Sequence, residues 1–351
     1  MPEFWNKLIS LENLHDAYLK AAKGKRQRQE VILFEVDMER QLYELREKLK
    51  SYSYQPGQFR TFTIYDKKPR IICAAPFVDR VVHHALMNVV EPILESVLTP
   101  HCYACRKGMG VHSAVNHYQQ GARRFTYALK LDIASYFACI DRDLMQEQLG
   151  TLVDDASINW LFGQIITGAP KPDYAPLWPG ADLVDAMQRS CGMPIGNLTS
   201  QHLANLYLNP IDLWLENDSR VPLWLRYVDD IVLLADSKAV LWQLKNELSA
   251  RLAELRLSIH PSKCQVVPCR CGLEVLGYRV FPTHRRLARH NGYRFRRKLR
   301  TLSRRYARGE IDLDRVSASV AAWLGHSKHA DALGLQTAIL NEIYFSRGDL
   351  S

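Results

Sequence analysis

The chain of 351 residues lacks long hydrophobic runs, and no stretch approaches the roughly 18 apolar residues that cross a bilayer. Residues 1–25 mix acidic, basic and apolar side chains, which differs from the pattern of a secretory signal. Eight cysteines are present, but neither cluster, at 102–105 or 264–271, has a second pair at zinc-finger spacing. We therefore expect a soluble, cytoplasmic protein with reduced thiols, no structural zinc and no membrane partner.

Acidic residues are absent from one segment, which carries ten Lys or Arg side chains between Arg285 and Arg305. The whole chain has 46 basic and 37 acidic residues, so this segment accounts for all of the net charge of +9. The face of a merely solvated helix usually interleaves Glu with Lys. A cluster of one sign instead indicates a surface that binds a polyanion.

Helical and β-rich segments alternate along the chain, which predicts a mixed α/β protein. No internal repeat or low-complexity tract is visible. Apolar residues at helical spacing predict helices over 5–22, 37–50, 79–98, 112–123, 142–149, 158–167, 199–216 and 238–255. Runs of β-branched and aromatic residues predict strands over 59–65, 70–74, 127–133, 264–268 and 274–281, with a hairpin over 223–234.

Two adjacent carboxylates lie at the tip of that hairpin, in Tyr227-Val228-Asp229-Asp230. Apolar residues flank them on both sides, at 223–225 and 231–234. Like charges repel and burial raises their free energy, so this arrangement is unfavourable unless a cation is bound. Mg²⁺ is the usual cation where phosphate is also a ligand. A solvated turn is the alternative for the tetrapeptide taken alone.

A third carboxylate, Asp132, ends the apolar strand Leu129–Ile133. If this strand lies beside the hairpin, Asp132 faces Asp229, and the two can share two Mg²⁺ ions about 3.5–4 Å apart. Two such ions suit phosphoryl transfer, in which positioning and charge neutralisation supply most of the rate. The sequence thus predicts a metal site formed by Asp132, Asp229 and Asp230, with Mg²⁺ as cofactor and Mn²⁺ as the alternative.

Five motifs, in order from about residue 58 to 281, resemble those of reverse transcriptases. They are Lys68 and Arg70 as the basic fingers pair, Asp132 and Phe137 as motif A, Tyr227–Asp230 as motif C, Lys263 as the motif D lysine, and Gly277 and Tyr278 in the primer-grip hairpin. The resemblance implies an RNA-directed DNA polymerase with a right-hand fold. It also implies N-terminal helices and fingers over 1–125, a palm over 126–283 with an insertion near 150–190, and a short, basic helical thumb over 284–351.

The same resemblance assigns roles to individual residues. Asp132, Asp229, Asp230 and Lys263 are expected to be catalytic, and Lys263 either protonates the leaving pyrophosphate or only neutralises it. Phe137 is expected to exclude ribonucleotides, with a plain core aromatic as the alternative. The expected nucleotide-binding residues are Lys68, Arg70, Ile133 (through its carbonyl and a metal), Phe137, Ile195, Gly196 and Gln201. The expected contacts to template and primer are Gly277, Tyr278, Arg294, Arg296, Arg297, Lys298 and Arg300.

A finer resemblance lies in Ile195-Gly196-Asn197-Leu198-Thr199-Ser200-Gln201, which is similar to bacterial and phage reverse transcriptases of diversity-generating retroelements. Those enzymes copy a template RNA with frequent errors opposite adenine, and a small basic accessory protein assists them. Ile195 offers no hydrogen bond, and apolar sites reject wrong partners less well than hydrogen-bonding sites. The alternative is that Ile195 only packs below the site.

Other readings of the chain remain open. About 70 residues follow the primer-grip hairpin, enough for a three-helix thumb but too few for a ribonuclease H domain. A stand-alone antiphage-defence enzyme is the main rival. A retron enzyme resembles the chain less, because Cys271–Glu274 occupies the place of the usual Val-Thr-Gly. A catalytically inactive RNA-binding protein is disfavoured because all three aspartates are present.

Overall fold

The computed structural model describes residues 2–65, 69–172 and 177–347. The chain begins with four helices: α1 (Pro2–Leu8), α2 (Leu11–Ala22), α3 (Gln29–Val36) and α4 (Met38–Lys50). The single helix predicted over 5–22 is wrong, because Ser10 caps α2 by accepting the Asn13 N–H and so separates it from α1. Helix α3 was not predicted.

A two-stranded antiparallel hairpin follows, formed by β1 (Arg60–Tyr65) and β2 (Pro69–Ala74). Lys68, predicted as half of the basic fingers pair, lies outside the described residues. Arg70 is on β2 and is exposed. Two long helices come next, α5 (Phe77–Val97) and α6 (Val111–Arg124).

The central sheet collects strands from distant parts of the chain. In chain order the next elements are β3 (Tyr127–Ile133), α7 (Tyr136–Cys139), α8 (Arg142–Leu152), α9 (Ala156–Thr167), α10 (Leu183–Gln188), α11 (Leu198–Tyr207), α12 (Asn209–Asn217), β4 (Leu223–Tyr227), β5 (Asp230–Ala235), α13 (Lys238–Glu254) and β6 (Ile259–Pro268). The strand order is β4-β5-β3-β6, and each neighbouring pair is antiparallel.

Helix packing against this sheet follows from side-chain spacing. Leu241, Leu244, Leu248 and Leu252 recur at helical spacing on α13 and are all buried, and α13 lies against β3, β5 and β6. The helix predicted over 199–216 is divided after Leu208, because Pro210 lacks the N–H that a continuous helix would need.

A second small sheet and three helices complete the fold. The remaining elements are β7 (Leu273–Val275), β8 (Tyr278–Val280), β9 (Arg285–Leu287), α14 (Arg289–Ala307), α15 (Leu313–Ser327) and α16 (Leu333–Leu340). The strand predicted over 274–281 is a hairpin, since Leu276 and Gly277 both have positive φ and reverse the chain. The basic segment begins on β9 and continues along α14.

The predicted fold class, mixed helix and sheet with an antiparallel palm-like sheet, is confirmed. The subdomain boundaries near residues 125 and 283 remain a prediction. None of the helices within the three described ranges is both long and apolar enough to traverse a lipid bilayer.

Candidate active site

Three aspartates meet at one end of the central sheet. The antiparallel register places Asp132 of β3 directly opposite Asp230 of β5, and the Ile133 N–H donates to the Asp229 carbonyl at 3.2 Å. Asp229 therefore lies in the turn beside the end of β3, although 97 residues separate it from Asp132 in the sequence. This is the proximity expected on the condition that the apolar strand lies beside the apolar hairpin, and the register shows that it does.

The end of the sheet that carries Asp132, Asp229 and Asp230 is called the acidic end. Two lysines neutralise part of its charge. Lys263 of β6 donates from Nζ to both carboxylate oxygens of Asp132, each at 2.7 Å. The Lys130 Nζ lies 3.4 Å from Asp230 Oδ1 and also donates to the Glu274 carbonyl at 3.1 Å. Lys130 thereby connects the acidic end to the β7–β8 hairpin.

Asp229 is the carboxylate with the least favourable surroundings. Burial raises its pKa to about 6, and the nearby charges of Asp132 and Asp230 raise it in the same direction. A bound cation would reverse both effects, since it favours the charged form of every carboxylate around it. The electrostatics thus fit a site that is completed by a cation.

The donor set also fits Mg²⁺, which prefers carboxylate oxygens and keeps several of its waters. Across the described residues no group of three or more His, Cys, Asp or Glu side chains is already arranged around a single metal position. Asp132 is instead turned onto Lys263. Each oxygen of an ionised carboxylate has two lone pairs, so Asp132 can still ligate a cation, and the Lys263 side chain, which is 45% exposed, has room to move aside.

The segment that follows Met193 packs against the β1–β2 hairpin. The Cys73 N–H of β2 donates to the Ile195 carbonyl at 3.2 Å, and Asn197 Nδ2 donates to the Cys73 carbonyl at 3.1 Å. Gly196 has a φ of 109°, and a Cβ there would lie 3.0 Å from Ile72 Cγ2. Glycine is therefore required for both its conformation and its close approach to β2.

Other predicted nucleotide-binding residues border this region. Phe137 is half-buried on α7, and its carbonyl accepts the Met193 N–H at 2.7 Å. Ile133 is buried and pairs with Ile259 of β6. Gln201 is exposed on α11. The fold thus joins Phe137 to the segment leading to Ile195, and that segment to the strand that carries Arg70.

Hydrogen bonds to neighbouring helices hold the β7–β8 hairpin, which is the predicted primer grip, against the rest of the protein. The Tyr278 side chain is fully buried, and its hydroxyl donates to the His326 carbonyl at 2.8 Å and lies 3.1 Å from His112 Nε2. The Gly277 carbonyl accepts the Ala288 N–H and the Asn291 side-chain amide, both at 2.9 Å. Tyr278 therefore fixes the hairpin to α6 and α15 rather than presenting its ring to nucleic acid.

The predicted basic surface is partly neutralised within the protein. Arg296 and Arg300 of α14 both pair with Glu342, which follows α16. Arg297 and Lys298 are exposed on the same helix, as is Arg294. The Glu partner that the segment itself lacks is thus supplied from another part of the chain.

Two residues near the acidic end were missed by the sequence analysis. Lys130 is a lone basic residue in an apolar strand, two positions before Asp132, so strand periodicity places both on one face. Arg226 immediately precedes the tetrapeptide, where the sequence alone indicates only a charge that balances the turn, but its side chain is completely buried and pairs with Asp212. No sequence signal indicated the Asp212 partner.

The profile of the reverse transcriptase family (RNA-dependent DNA polymerase) matches residues 63–280. This chain belongs to the reverse transcriptase family. The match spans the acidic end, most of the β1–β2 hairpin and the whole β7–β8 hairpin. It confirms the predicted enzyme class, an RNA-directed DNA polymerase.

Individual relatives of this reverse transcriptase are distant. It is 24% identical to "Protein YkfC" of Escherichia coli (strain K12) in an alignment of 276 residues that covers 67% of this chain and 70% of that protein. Among solved structures it is similar to apo telomerase from Candida Tropicalis, with a TM-score of 0.48, 11% identity and coverage of 64% of this chain and 47% of the other. The same telomerase bound to a TWJ fragment of telomeric RNA gives a TM-score of 0.49 at 11% identity. That match covers 86% of this chain and 58% of the telomerase chain. This chain spans less than two thirds of the length of either telomerase chain.

Proposed function

We propose that this reverse transcriptase copies a template RNA into cDNA by nucleotidyl transfer at the acidic end of the central sheet. The observation that carries the proposal is the register of Asp132 opposite Asp230, with Asp229 in the adjoining turn. Three carboxylates in this arrangement are unfavourable on their own but suit the binding of divalent cations. The substrates would be deoxynucleoside triphosphates and a primer paired to the template.

Asp132, Asp229 and Asp230 would hold the metal ions, with Mg²⁺ as the expected cofactor and Mn²⁺ as a substitute. Bound ions would lower the pKa of the primer 3′-hydroxyl and neutralise the charge that develops on the leaving pyrophosphate. Lys263, which lies beside Asp132, would neutralise or protonate that pyrophosphate. Lys130 keeps Asp230 in place, and it links that carboxylate to the hairpin proposed to hold the primer.

Arg70, on the strand that docks against Ile195, is proposed to bind the incoming triphosphate, because a guanidinium fork matches phosphate oxygens. Lys68 is proposed for the same role. Phe137 is proposed to exclude the 2′-hydroxyl of a ribonucleotide. Phe137→Ala should then raise ribonucleotide incorporation, and unchanged sugar selectivity would count against this role.

Primer extension on poly(rA) annealed to oligo(dT), in the presence of Mg²⁺, tests the polymerase proposal. The wild type should extend the primer, whereas Asp229→Ala should not. Equal extension by both proteins would contradict the proposed site. No extension by either would favour the rival proposal of an inactive RNA-binding protein.

The finer proposal is that synthesis is error-prone opposite template adenine and serves sequence diversification by a retroelement. Support comes from the resemblance at Ile195–Gln201 and from the position of Ile195, which is half-buried and bonded to β2 through its carbonyl. An apolar side chain at this place leaves the nucleotide without a hydrogen bond, which weakens discrimination. A small basic accessory protein is part of this proposal, as is a cytoplasmic location.

Sequencing of cDNA made by Ile195→Gln tests the error-prone proposal. Misincorporation opposite adenine should fall relative to the wild type, while Ile32→Gln, the same change at an exposed position of α3, should leave the error spectrum unchanged. An unaltered spectrum in Ile195→Gln would refute the idea. A template repeat, a matching variable repeat and a small basic gene in the flanking DNA would favour diversification over antiphage defence.

A further inference from the structure

Arg226, on β4 just before the acidic turn, has every N–H donor of its guanidinium in a hydrogen bond. Its Nε donates to Asp212 Oδ1 at 2.7 Å, and Nη2 donates to Asp212 Oδ2 and to the Asn205 carbonyl. Its Nη1 donates to Asn205 Oδ1 and to the Val228 carbonyl, each at 3.2 Å. These contacts use all five donors that an arginine possesses, and the side chain is fully buried.

The last of these bonds reaches into the acidic turn itself. Val228 has a φ of 57°, in the left-handed region that β-branched residues rarely adopt. A residue keeps such a conformation only where its surroundings hold it there. The Arg226 guanidinium is one such constraint, because it fixes the Val228 carbonyl immediately before Asp229.

The other bonds anchor Arg226 to helix α11. Asn205 lies on this helix, and it also donates from Nδ2 to the Ala104 carbonyl at 2.7 Å. Helix α11 begins at Leu198, directly after the segment Ile195–Asn197 that docks on β2. A continuous set of hydrogen bonds therefore runs from this helix through one guanidinium to the turn that carries Asp229.

We propose that Arg226 is a positioning residue, which holds the Val228 carbonyl, and with it the Asp229 carboxylate, at a fixed place relative to α11. This inference rests on the polymerase activity proposed above. A purely structural ion pair would need only Asp212. The bonds to Val228 and Asn205 go beyond that need, and they depend on the fork shape that lysine lacks.

Arg226→Lys separates the two roles, because lysine keeps a positive charge beside Asp212 but cannot make all of the other bonds. Displacement of a catalytic group by about 1 Å can lower the rate about 100-fold, so we expect kcat to fall about 10- to 100-fold. The KM for the nucleotide should change far less, because the bonds that are lost do not belong to the nucleotide site.

Arg106→Lys is the matched control. Arg106 is also nearly buried, and it donates to one carboxylate, that of Glu95, and to the carbonyls of Thr99 and Cys102, but it makes no bond to the turn. Thermal unfolding of both variants measures the structural cost that they share. If kcat falls equally in the two variants, or stays unchanged in Arg226→Lys, the proposal is overturned.

Asn205→Ala provides a second route if Arg226→Lys does not fold, since it leaves the buried ion pair with Asp212 intact. We expect a several-fold fall in kcat from Asn205→Ala alone. Where Arg226→Lys folds, adding Asn205→Ala to it should cause no further fall, because both changes act through the same bonds. Unchanged kcat in Asn205→Ala, or effects that multiply in the double variant, would contradict the proposal.

Binding of Mn²⁺, followed by electron paramagnetic resonance, tests the positioning role without catalysis. Arg226→Lys should bind Mn²⁺ more weakly than Arg106→Lys does, and equal binding would overturn the inference. Because this measurement does not require primer extension, a wild type that binds Mn²⁺ but fails to extend a primer would contradict the proposed function alone.

Discussion

Arg226 and Asp229 are close neighbours on one hairpin, but their surroundings differ in a basic way. Each donor of Arg226 has an acceptor, and although burial opposes its charge, the neighbouring Asp212 carboxylate raises the pKa of Arg226 so that it stays charged. Asp229 instead faces two further carboxylates, and its pKa is raised towards the neutral form. One cluster is complete within the protein, whereas the other is electrostatically incomplete.

The difference indicates how the fold supports a reactive site. The acidic end is unfavourable in the free protein, so it must be held by neighbouring structure that is itself stable. The Arg226 cluster, formed by Arg226, Asn205 and Asp212, bonds to the Val228 carbonyl in the turn and can hold the turn in place. Substitutions in the acidic end should therefore alter activity more than stability, and substitutions in the Arg226 cluster should strongly affect stability.

The largest effect is expected for Asp132→Asn, which removes one carboxylate from the acidic end. Primer extension should slow by about 10³-fold or more, because charge stabilisation at the reacting phosphate supplies most of the rate. Asp236→Asn is the control, since Asp236 accepts from Thr126 at the opposite end of the same sheet. Steady-state kinetics should show normal activity for the control, and a similar loss in both variants would contradict the comparison.

Next in size is Asp212→Asn, which removes the charged partner of the buried Arg226. Loss of one partner leaves an uncompensated buried charge, so the free energy of unfolding should fall by about 3–5 kcal/mol. Glu247→Gln breaks a partly exposed, solvent-screened pair with Arg220 and should reduce the free energy of unfolding far less. Urea unfolding of both variants measures the difference, and equal losses would show that the Arg226 cluster is not special.

A smaller change in the free energy of unfolding, this time an increase, is expected for Asp229→Asn in metal-free protein. The pKa of Asp229 is about 6 in the fold, above the value of about 4 for an unfolded chain. Between these values the folded state binds more protons, so the wild type loses stability as pH rises through this window. The variant escapes this loss and should be more stable by about 1–2 kcal/mol at pH 7.5, a figure reduced for partial exposure.

Urea unfolding with a chelator present, at pH 7.5 and at pH 4, tests this sign. The advantage of Asp229→Asn should be present at pH 7.5 and should largely disappear at pH 4, where the wild-type carboxyl is protonated in the folded state and about half protonated in the unfolded state. A variant that is less stable than the wild type at pH 7.5 would show that the acidic end is already satisfied without a cation.

The smallest effect is expected on the salt dependence of nucleic-acid binding by the basic helix α14, which also carries both an arginine paired within the protein and an exposed one. Arg297 is exposed, whereas Arg300 is already paired with Glu342. If Arg297 contacts a phosphate, Arg297→Gln should reduce the slope of log affinity against log salt by about 0.7–0.9. Arg300→Gln should change the slope less. Binding of a template–primer measured across salt concentrations checks the difference, and equal changes would contradict it.

The sequence was sufficient to predict the strands and carboxylates of the acidic end. Strand β3 was predicted with the bounds that the structure has, since its apolar residues lie between the arginines that end α6 and a turn. The proximity of Asp132 to Asp229 was predicted only on the condition that the strand and the hairpin lie side by side, which the register confirms. The separate elements depend on local patterns, which the sequence displays directly.

The sequence was not sufficient for features that depend on long-range packing. The partners of Arg226 lie 14 and 21 residues earlier in the chain, on two helices that were predicted as one. Burial of Tyr278 depends on His326, which is 48 residues away, and Glu342 reaches Arg300 across 42 residues. Local periodicity carries no information about such contacts, so the residues that hold the site were less predictable than the residues that form it.

The decisive measurement is the number of Mn²⁺ ions bound in a complex with RNA template, chain-terminated primer and the matching nucleotide. We predict about two ions per wild-type protein, and loss of binding in Asp132→Asn and Asp229→Asn but not in Asp236→Asn. Equal Mn²⁺ binding by the wild type and by the two acidic-end variants would contradict the assignment of these carboxylates as the metal site.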